Sequence, residues 1–275
     1  SINIGKGVNS VAGNTVLGES ALDASVSGGD NTAIGNSTLT ALTSGTTNVA
    51  LGHDSLKSVT TGSSNVAIGS ATLDAITTTS NLTAVGTNAL GANTDGTGNV
   101  AVGYNSLDEN TTGTSNTAVG TSSLTTNISG VNNTAVGNSA LELNTSNNNT
   151  AVGKDALEAN TSGSQSTAVG ASALTAATTG GNNVAVGMNA ALSTTTGTEC
   201  VAVGTASLND NTTGSQNVAV GRDALRSNTT ASNNTALGHD ALRLNTTGNG
   251  NVAVGASALD ANTTGVENTA VGNSA

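Results

Sequence analysis

The sequence predicts an all-β fold, a parallel β-solenoid, and three observations carry that prediction. The phrase Asn-Thr-Ala-Val-Gly recurs along all 275 residues, and its closing glycines are 17 residues apart in fourteen intervals, 13 apart in one and 16 apart in one. A period this short and strict is typical of structural rungs stacked on one another. The residues between the glycines are rich in Thr and Val, which favour strands over helices. Proline is absent, which agrees with backbone N–H groups that are nearly all needed in ladders between rungs.

The repeated unit begins with a predicted strand. With the Asn as position 1 and the Gly as position 5, the unit reads N-[TV]-A-[VIL]-G-x-x-[AST]-L-x-x-N-T-T-G-x-x. Position 4 is Val, Ile or Leu in all seventeen copies, position 2 is Thr, Val or Ile, and position 3 is Ala in fifteen. Residues two apart on a strand share a face. We therefore expect position 4 to face the interior and the Ala residues to form a small, flat opposite face.

A second short strand is predicted around position 9, which is Leu in fourteen of fifteen complete units. That strand would bring Leu against the position-4 side chain inside the coil. The Asn-Thr-Thr-Gly run then forms a corner, because Asn and Gly tolerate left-handed backbone angles. The prediction is about sixteen coils with two strands each. Representative core residues are Val136, Val152, Leu141, Leu157, Val220 and Leu225.

The flat face of small residues is a candidate interface between chains. Ala at position 3 and Gly at position 5 would let a neighbouring backbone approach closely, and a coil without Phe or Trp buries little apolar area alone. Representative interface residues are Ala135, Gly137, Ala151, Gly153, Ala219 and Gly221. The alternative is that small residues simply fit the packing of a thin coil. The first interpretation predicts a homo-oligomer.

Composition excludes several classes of partner. The net charge is −11 and only six residues are Lys or Arg, which argues against nucleic acid and anionic membranes. No apolar run is long enough to cross a membrane. The sequence starts and stops inside a repeat phrase, whereas solenoids normally end in capping repeats. We therefore expect residues 1–275 to be a single uncapped array and a segment of a longer fibre protein.

Residues for catalysis or metal binding do not converge in the sequence. His53 and His239 both occupy position 6, but eleven coils of about 4.8 Å separate them, so they cannot share a site. Acidic residues are scattered, so no metal and no cofactor are predicted, and no residue is assigned a catalytic role.

Three polar features have both a functional and a structural interpretation. Position 6 is basic and position 7 is Asp in four coils, which fits either a carbohydrate or cation contact or solvated ion pairs; these are His53-Asp54, Lys154-Asp155, Arg222-Asp223 and His239-Asp240. Cys200 stands at position 1, where a small buried side chain is expected. Seven position-12 asparagines match a glycosylation sequon but are also suited to a turn: Asn110, Asn144, Asn160, Asn211, Asn228, Asn245 and Asn262.

Threonine columns suggest an ice-binding surface as an alternative function. Positions 13 and 14 offer Thr residues one coil apart, as in ice-binding β-solenoids. Adjacent residues at a corner point in different directions, however, and position 2 alternates irregularly between Thr and Val. The sequence therefore predicts no flat Thr-x-Thr ladder, and ice binding by a monomeric solenoid is the second hypothesis.

Several phrases resemble the head repeats of YadA-like trimeric autotransporter adhesins. They are Asn65-Val-Ala-Ile-Gly69, Asn99-Val-Ala-Val-Gly103, and the opening Ser1-Ile-Asn-Ile-Gly5 with Asn9-Ser-Val-Ala-Gly13. The resemblance implies a left-handed β-roll, a homotrimer and a place at the cell surface. The coil of that family is shorter than the 17-residue unit found here, and the difference is the additional Asn-Thr-Thr-Gly corner of this unit. The repeats are also similar to viral and phage fibre shafts.

Together these features predict an extracellular structural or adhesive fibre segment at a cell surface or on a virion. The rod would space or present an attachment surface, and a host-surface glycan or protein is its candidate ligand. We expect no enzymatic activity, because the shared motif is architectural.

Overall fold

The computed structural model describes residues 3–275 and has the predicted fold, a parallel β-solenoid with about 17 residues per turn. The phrase that opens with Ser1 and Ile2 therefore begins outside the described residues. The chain divides into two compact units, Ser1–Asn133 and Thr134–Ala275, and each is a stack of coils. The handedness inferred from the adhesin resemblance stays a prediction.

Each repeat contributes one short strand, and nearly all of these strands consist of positions 2 to 4. In the first unit the strands are β1 (Asn3–Gly5), β2 (Thr15–Gly18), β3 (Thr32–Ile34), β4 (Val49–Leu51), β5 (Val66–Ile68), β6 (Thr83–Val85), β7 (Val100–Val102) and β8 (Thr117–Val119), with a 3₁₀ turn at Val8–Ser10. In the second unit they are β9 (Thr134–Val136), β10 (Thr150–Val152), β11 (Thr167–Val169), β12 (Val184–Val186), β13 (Val201–Val203), β14 (Val218–Val220), β15 (Thr235–Leu237), β16 (Val252–Val254) and β17 (Thr269–Val271).

The strands stack in register, so that each position lies above the same position of the next coil. From β2 to β8 and from β9 to β17, neighbouring strands pair in parallel. The first repeat differs, because β1 pairs antiparallel with β2. The 13-residue interval is therefore a chain reversal and not a short coil. The 16-residue interval keeps its strand register, with Thr134 opposite Thr150, so its corner absorbs the missing residue.

The predicted second strand per coil is wrong, because positions 6 to 11 form turns. In a representative coil Asp155 at position 7 has φ 57° and Leu157 at position 9 has φ 52°. A left-handed conformation every second residue is incompatible with a strand, and it costs a bulky residue about 1–3 kcal/mol. Leu157 is fully buried, which contributes about 1.5–3 kcal/mol and offsets that strain. The prediction that Leu141, Leu157 and Leu225 belong to the core is confirmed.

The faces of the strand are inverted relative to the prediction. Val136 and Val152 are 36% and 37% exposed, and Val220 is partly exposed, so these three residues are not core residues. The Ala between the two outward columns is fully buried instead, as at Ala135 and Ala219. The interior already holds the position-9 Leu and buried asparagines at positions 1 and 12. That interior is narrow, so the small side chain of each strand faces it and the β-branched ones point outward.

Two columns of buried asparagine connect successive coils. The position-1 residue Asn99 donates from Nδ2 to the Gly113 carbonyl at 2.7 Å, and its Oδ1 accepts the Asn116 backbone N–H at 2.9 Å. The position-12 residue Asn110 donates to the same Gly113 carbonyl at 3.1 Å and to Asn93 Oδ1 at 2.7 Å. One glycine carbonyl thus joins both columns. The sequence predicted a corner at position 12 and hydrogen bonds between stacked Asn columns, but it did not predict that these columns lie in the interior.

In the 16-residue coil, Ser146 takes part in the asparagine network in place of the missing glycine. The corner of this coil lacks the usual glycine carbonyl, and the Ser146 hydroxyl accepts a 2.9 Å bond from Asn149 Nδ2. Asn160 Nδ2 of the next coil reaches Asn144 Oδ1 at 2.6 Å. The asparagine columns of the second unit therefore continue through its shortened coil.

Candidate functional surfaces

The Ala/Gly face proposed as an interface is not an outer surface. Ala135, Ala151 and Ala219 are fully buried inside their own chain. Gly153 has φ 137°, and a Cβ there would overlap the backbone of Gly170 in the next coil. The same geometry holds at the other two candidate glycines, Gly137 and Gly221. The predicted interface is wrong, and the alternative interpretation, that small residues serve the coil's own packing, accounts for these positions.

The outward strand face forms what we call the valine ribbon, defined as positions 2 and 4 of each parallel strand. In the second unit it runs over β9–β17, and every position-4 residue there is Val or Leu. The exposed fraction is 38% at Val186 and 47% at Leu237, and it is 72% at Val271 in the last strand. Parallel strands lie about 4.8 Å apart, so the ribbon is a regular array in contact with solvent, with Val or Leu at position 4 and Thr or Val at position 2. A row of exposed apolar side chains of this kind is a candidate interaction site.

A second regular surface consists of exposed threonines at position 14, which we call the threonine column. In the second unit its members are Thr179, Thr196, Thr213, Thr230, Thr247 and Thr264. Their hydroxyls donate no hydrogen bond within the described chain. The position-13 hydroxyls behave differently, since Thr212 Oγ1 donates to the Thr229 carbonyl at 2.9 Å. The two adjacent threonines thus point in different directions, as expected from the sequence.

Position 16 follows the buried glycine of position 15, and its side chain also faces outward. Its hydroxyl is occupied in part by the backbone, because Ser215 Oγ accepts the Thr198 N–H at 3.1 Å. The accessible hydroxyls therefore form one column at position 14, and not a symmetric two-column ladder.

The paired basic and acidic residues converge most strongly in two neighbouring coils of the second unit. We call this group the arginine cluster, which consists of Arg222, Asp223, Arg226, His239, Asp240 and Arg243. Asp223 accepts from Arg222 Nε at 3.0 Å, and its other oxygen lies 3.4 Å from an Arg226 terminal nitrogen. His239 Nδ1 lies 3.3 Å from Asp240 Oδ2. Position 10, which supplies Arg226 and Arg243, was not singled out from the sequence, although it lies three residues beyond the Asp at position 7.

The remaining candidate groups have structural roles. Cys200 is buried as expected, and burial raises the pKa of its thiol. Its Sγ lies 3.4 Å from the Gly214 carbonyl, where the amide of a position-1 Asn would donate. His53 belongs to the first unit and His239 to the second. Within residues 3–275, no three His, Cys, Asp or Glu side chains are grouped as a metal ion would require.

The sequon asparagines are part of the interior network. Asn110, Asn144, Asn160, Asn211, Asn228 and Asn245 are fully buried. The amide nitrogen that a glycan would modify is already a hydrogen-bond donor, as in Asn228, which donates to Asn211 Oδ1 at 2.9 Å. Asn262 is only partly buried but makes the same contacts. The structural interpretation accounts for these residues.

Comparison with protein-family models, curated proteins and solved structures gave no match. The resemblance to adhesin heads therefore rests on the repeat phrases alone. No helix within the described residues has the length and apolar character needed to span a bilayer.

Proposed function

We propose that the chain is a segment of an extracellular structural and adhesive fibre, a rigid homo-oligomeric rod that spaces or presents an attachment surface. The observation that carries this proposal is the asparagine network. Each coil hydrogen-bonds to the next through buried side chains as well as through its strands. Such a chain is suited to stacking, and its repeated interior brings no reactive groups together in the part of the chain that the structure describes.

Stiffness is the property that a spacer needs, and the coils supply it at several points of their circumference. The strands pair along one side, and the position-13 threonines connect coils at the corner, as in the bond from Thr195 Oγ1 to the Thr212 carbonyl at 3.0 Å. The Leu turn is bonded too, since the Leu208 N–H donates to the Ala224 carbonyl at 2.9 Å. Bending a unit would have to break bonds on more than one side at once.

Self-association would use the valine ribbon. A strand of three residues is about 10 Å long and strands are about 4.8 Å apart, so the ribbon presents roughly 340 Å² on the seven parallel strands of the first unit and roughly 430 Å² on the nine of the second. Each area is about half of the roughly 800 Å² that one partner buries in an interface of standard size. A second copy of the chain has the same ribbon at the same spacing, which makes it the natural occupant. The trimeric state is proposed from the adhesin resemblance.

The test is the absolute mass of the chain in solution, measured by sedimentation or light scattering. We expect an oligomer, with a trimer as the specific expectation. The double variant Val186→Asp/Val203→Asp introduces charge into the ribbon and should give a folded monomer. Thr196→Asp/Thr213→Asp places the same charges on the threonine column of nearby coils and should leave the mass unchanged. A wild-type monomer would refute the oligomeric fibre.

The proposed location, at a cell surface or on a virion, also comes from the resemblance. It is supported by the composition of the chain, which is acidic and rich in Thr, Ser and Asn. Immunogold labelling of the native source would locate the chain, and a cytosolic signal would contradict the proposal.

A monomeric ice-binding solenoid is the second candidate, and the threonine column favours it. The six exposed hydroxyls of the threonine column recur once per coil in the second unit, about 4.8 Å apart. Ice binding would produce thermal hysteresis that Thr213→Lys abolishes, while Val203→Lys on the other face preserves it. Absence of hysteresis in a wild-type solution would exclude this candidate.

A further inference from the structure

The arginine cluster is the one place where this acidic chain concentrates positive charge. The chain has six Lys and Arg residues and a net charge of −11. Three of those six are Arg222, Arg226 and Arg243, and they lie on the same turn of two successive coils. An even distribution would place fewer than one basic residue on each coil. The clustering therefore calls for a physical explanation.

The two coils stack like charges on each other. Arg226 and Arg243 both occupy position 10, and the Ser227 N–H donates to the Arg243 carbonyl at 3.0 Å, which fixes their alignment. The backbone spacing is about 4.8 Å, and like charges directly opposite one another are destabilising. Asp223 is shared by Arg222 and Arg226, so one positive charge is left over in that coil.

The second coil has N–H donors, on Arg243, that its Asp does not use. Arg243 Nε lies 3.8 Å from Asp240 Oδ1, and this buried nitrogen has no hydrogen-bond partner within residues 3–275. Each guanidinium carries five N–H donors in a planar fork that matches a carboxylate or sulfate. The two coils therefore offer more aligned donors than their two Asp carboxylates can use.

A matched corner in the first unit shows the compensated arrangement. His53, Asp54 and Lys57 repeat the same pattern at positions 6, 7 and 10, with Lys57 Nζ 3.2 Å from Asp54 Oδ2. The next coil places Asp74 at position 10, where burial raises the pKa of the carboxyl and the nearby Lys57 charge opposes that rise. At this corner the positive charge of Lys57 therefore lies next to a carboxylate of the following coil, Asp74. At Arg226 the corresponding neighbour is another cation, Arg243, and the anion at this position, Asp260, comes only in the following coil, where the Asp260 carbonyl accepts the Leu244 N–H at 3.1 Å.

We propose that the arginine cluster binds an anionic sugar unit, one that bears a carboxylate or a sulfate group. The guanidiniums of Arg226 and Arg243 hold the anionic group, and Asp240, whose side chain is 25% exposed, accepts from the sugar hydroxyls. A ligand that has both an anion and hydroxyl donors uses both kinds of group. Two interposed carboxylates and an acidic chain disfavour a densely charged polyanion such as nucleic acid. The binding site stands on its own geometry, but its adhesive role rests on the proposed fibre function.

Calorimetric titration of the full chain at low salt tests the site. The probes are a uronate tetrasaccharide, a sulfated oligosaccharide, a neutral oligosaccharide of the same length, inorganic sulfate and a short DNA duplex. We expect one or both anionic sugars to bind and the other three probes to bind at least tenfold more weakly. Equal affinity for inorganic sulfate or for DNA would overturn the assignment to a sugar, and so would failure of both anionic sugars to bind.

Two variants test whether the anionic sugar binds at the arginine cluster. Arg226→Gln/Arg243→Gln removes the stacked charges and should weaken the anionic sugar at least tenfold, whereas Lys57→Gln, at the compensated corner, should have no effect. Unchanged binding by the double variant would overturn the assignment to this cluster. Solution mass measured on the same samples separates this proposal from the fibre proposal. A monomer that binds the sugar would refute the oligomeric rod alone.

Discussion

Replacing Ala177 by Asn should stabilise the second unit, because it fills a gap in the position-12 column. Asn160 Oδ1 is buried and has no hydrogen-bond partner within residues 3–275. In other coils that oxygen accepts from the Asn of the next coil, but here the next residue is Ala177. One coil further, Thr194 Oγ1 accepts from Asn211 Nδ2 at 3.3 Å. An Asn at position 177 would connect Asn160 to Thr194 and would also reach the carbonyl of Gly180.

The magnitude follows from the bonds gained. Three new hydrogen bonds, with Asn160, Thr194 and Gly180, contribute about 3 kcal/mol in total, and one of them satisfies a buried acceptor. Ordering and desolvating the new amide opposes this by about 1–2 kcal/mol. The backbone already accommodates Asn at the same position in neighbouring coils, so little strain is expected. The net expectation is an increase of about 1–2 kcal/mol in the free energy of unfolding.

Hydrogen exchange is the suitable assay, because stacked coils can open locally. Amides of residues 160–195 should exchange about 5–30 times more slowly in Ala177→Asn. Ala177→Leu is the control, since position 12 accepts apolar residues elsewhere, as at Leu42, but Leu cannot donate to Asn160. The gain should also shrink in an Asn160→Ala background. If Leu stabilises as much as Asn, or if the gain is independent of Asn160, the hydrogen-bond account is wrong.

Three further predictions concern the interior. Gly153→Ala should cost about 1–3 kcal/mol in urea unfolding, because its Cβ meets the next coil at a positive φ, while Gly250→Asn, at a left-handed position with space, should be nearly neutral. Leu225→Ala should cost about 2–5 kcal/mol and Val220→Ala far less in the monomer, and equal losses would contradict the inverted strand. The thiol of Cys200 should resist thiol reagents until the chain unfolds. Since burial raises its folded pKa, the stabilisation is present below pH about 9 and is lost as pH rises through the folded pKa, and a Cys200→Ser chain should lack this loss.

The period alone was sufficient to predict the stacked fold, and the Leu column was sufficient to predict part of the core. The orientation of the strand was not predictable from apolar character, because a period of two identifies two faces without saying which is inside. A signal was nevertheless present. Asn at position 1 has the same parity as Ala at position 3, and an Asn column repeated so strictly is typical of a buried ladder. The left-handed Leu conformation had no signal, since bulky residues avoid it.

The polar interior also explains why the outer surface can vary. An Asn column bonds only when each Asn lies above the same position of the next coil, so it specifies register in a way that Leu and Ala cannot. A slip of one residue would leave buried amides without partners, each at a cost of about 1–3 kcal/mol. With register fixed inside, positions 6, 7 and 10 are free to differ from coil to coil. The charges on the outer surface therefore depend on which residues neighbouring coils place side by side, and Arg226 and Arg243 are where two like charges occupy the same position of successive coils.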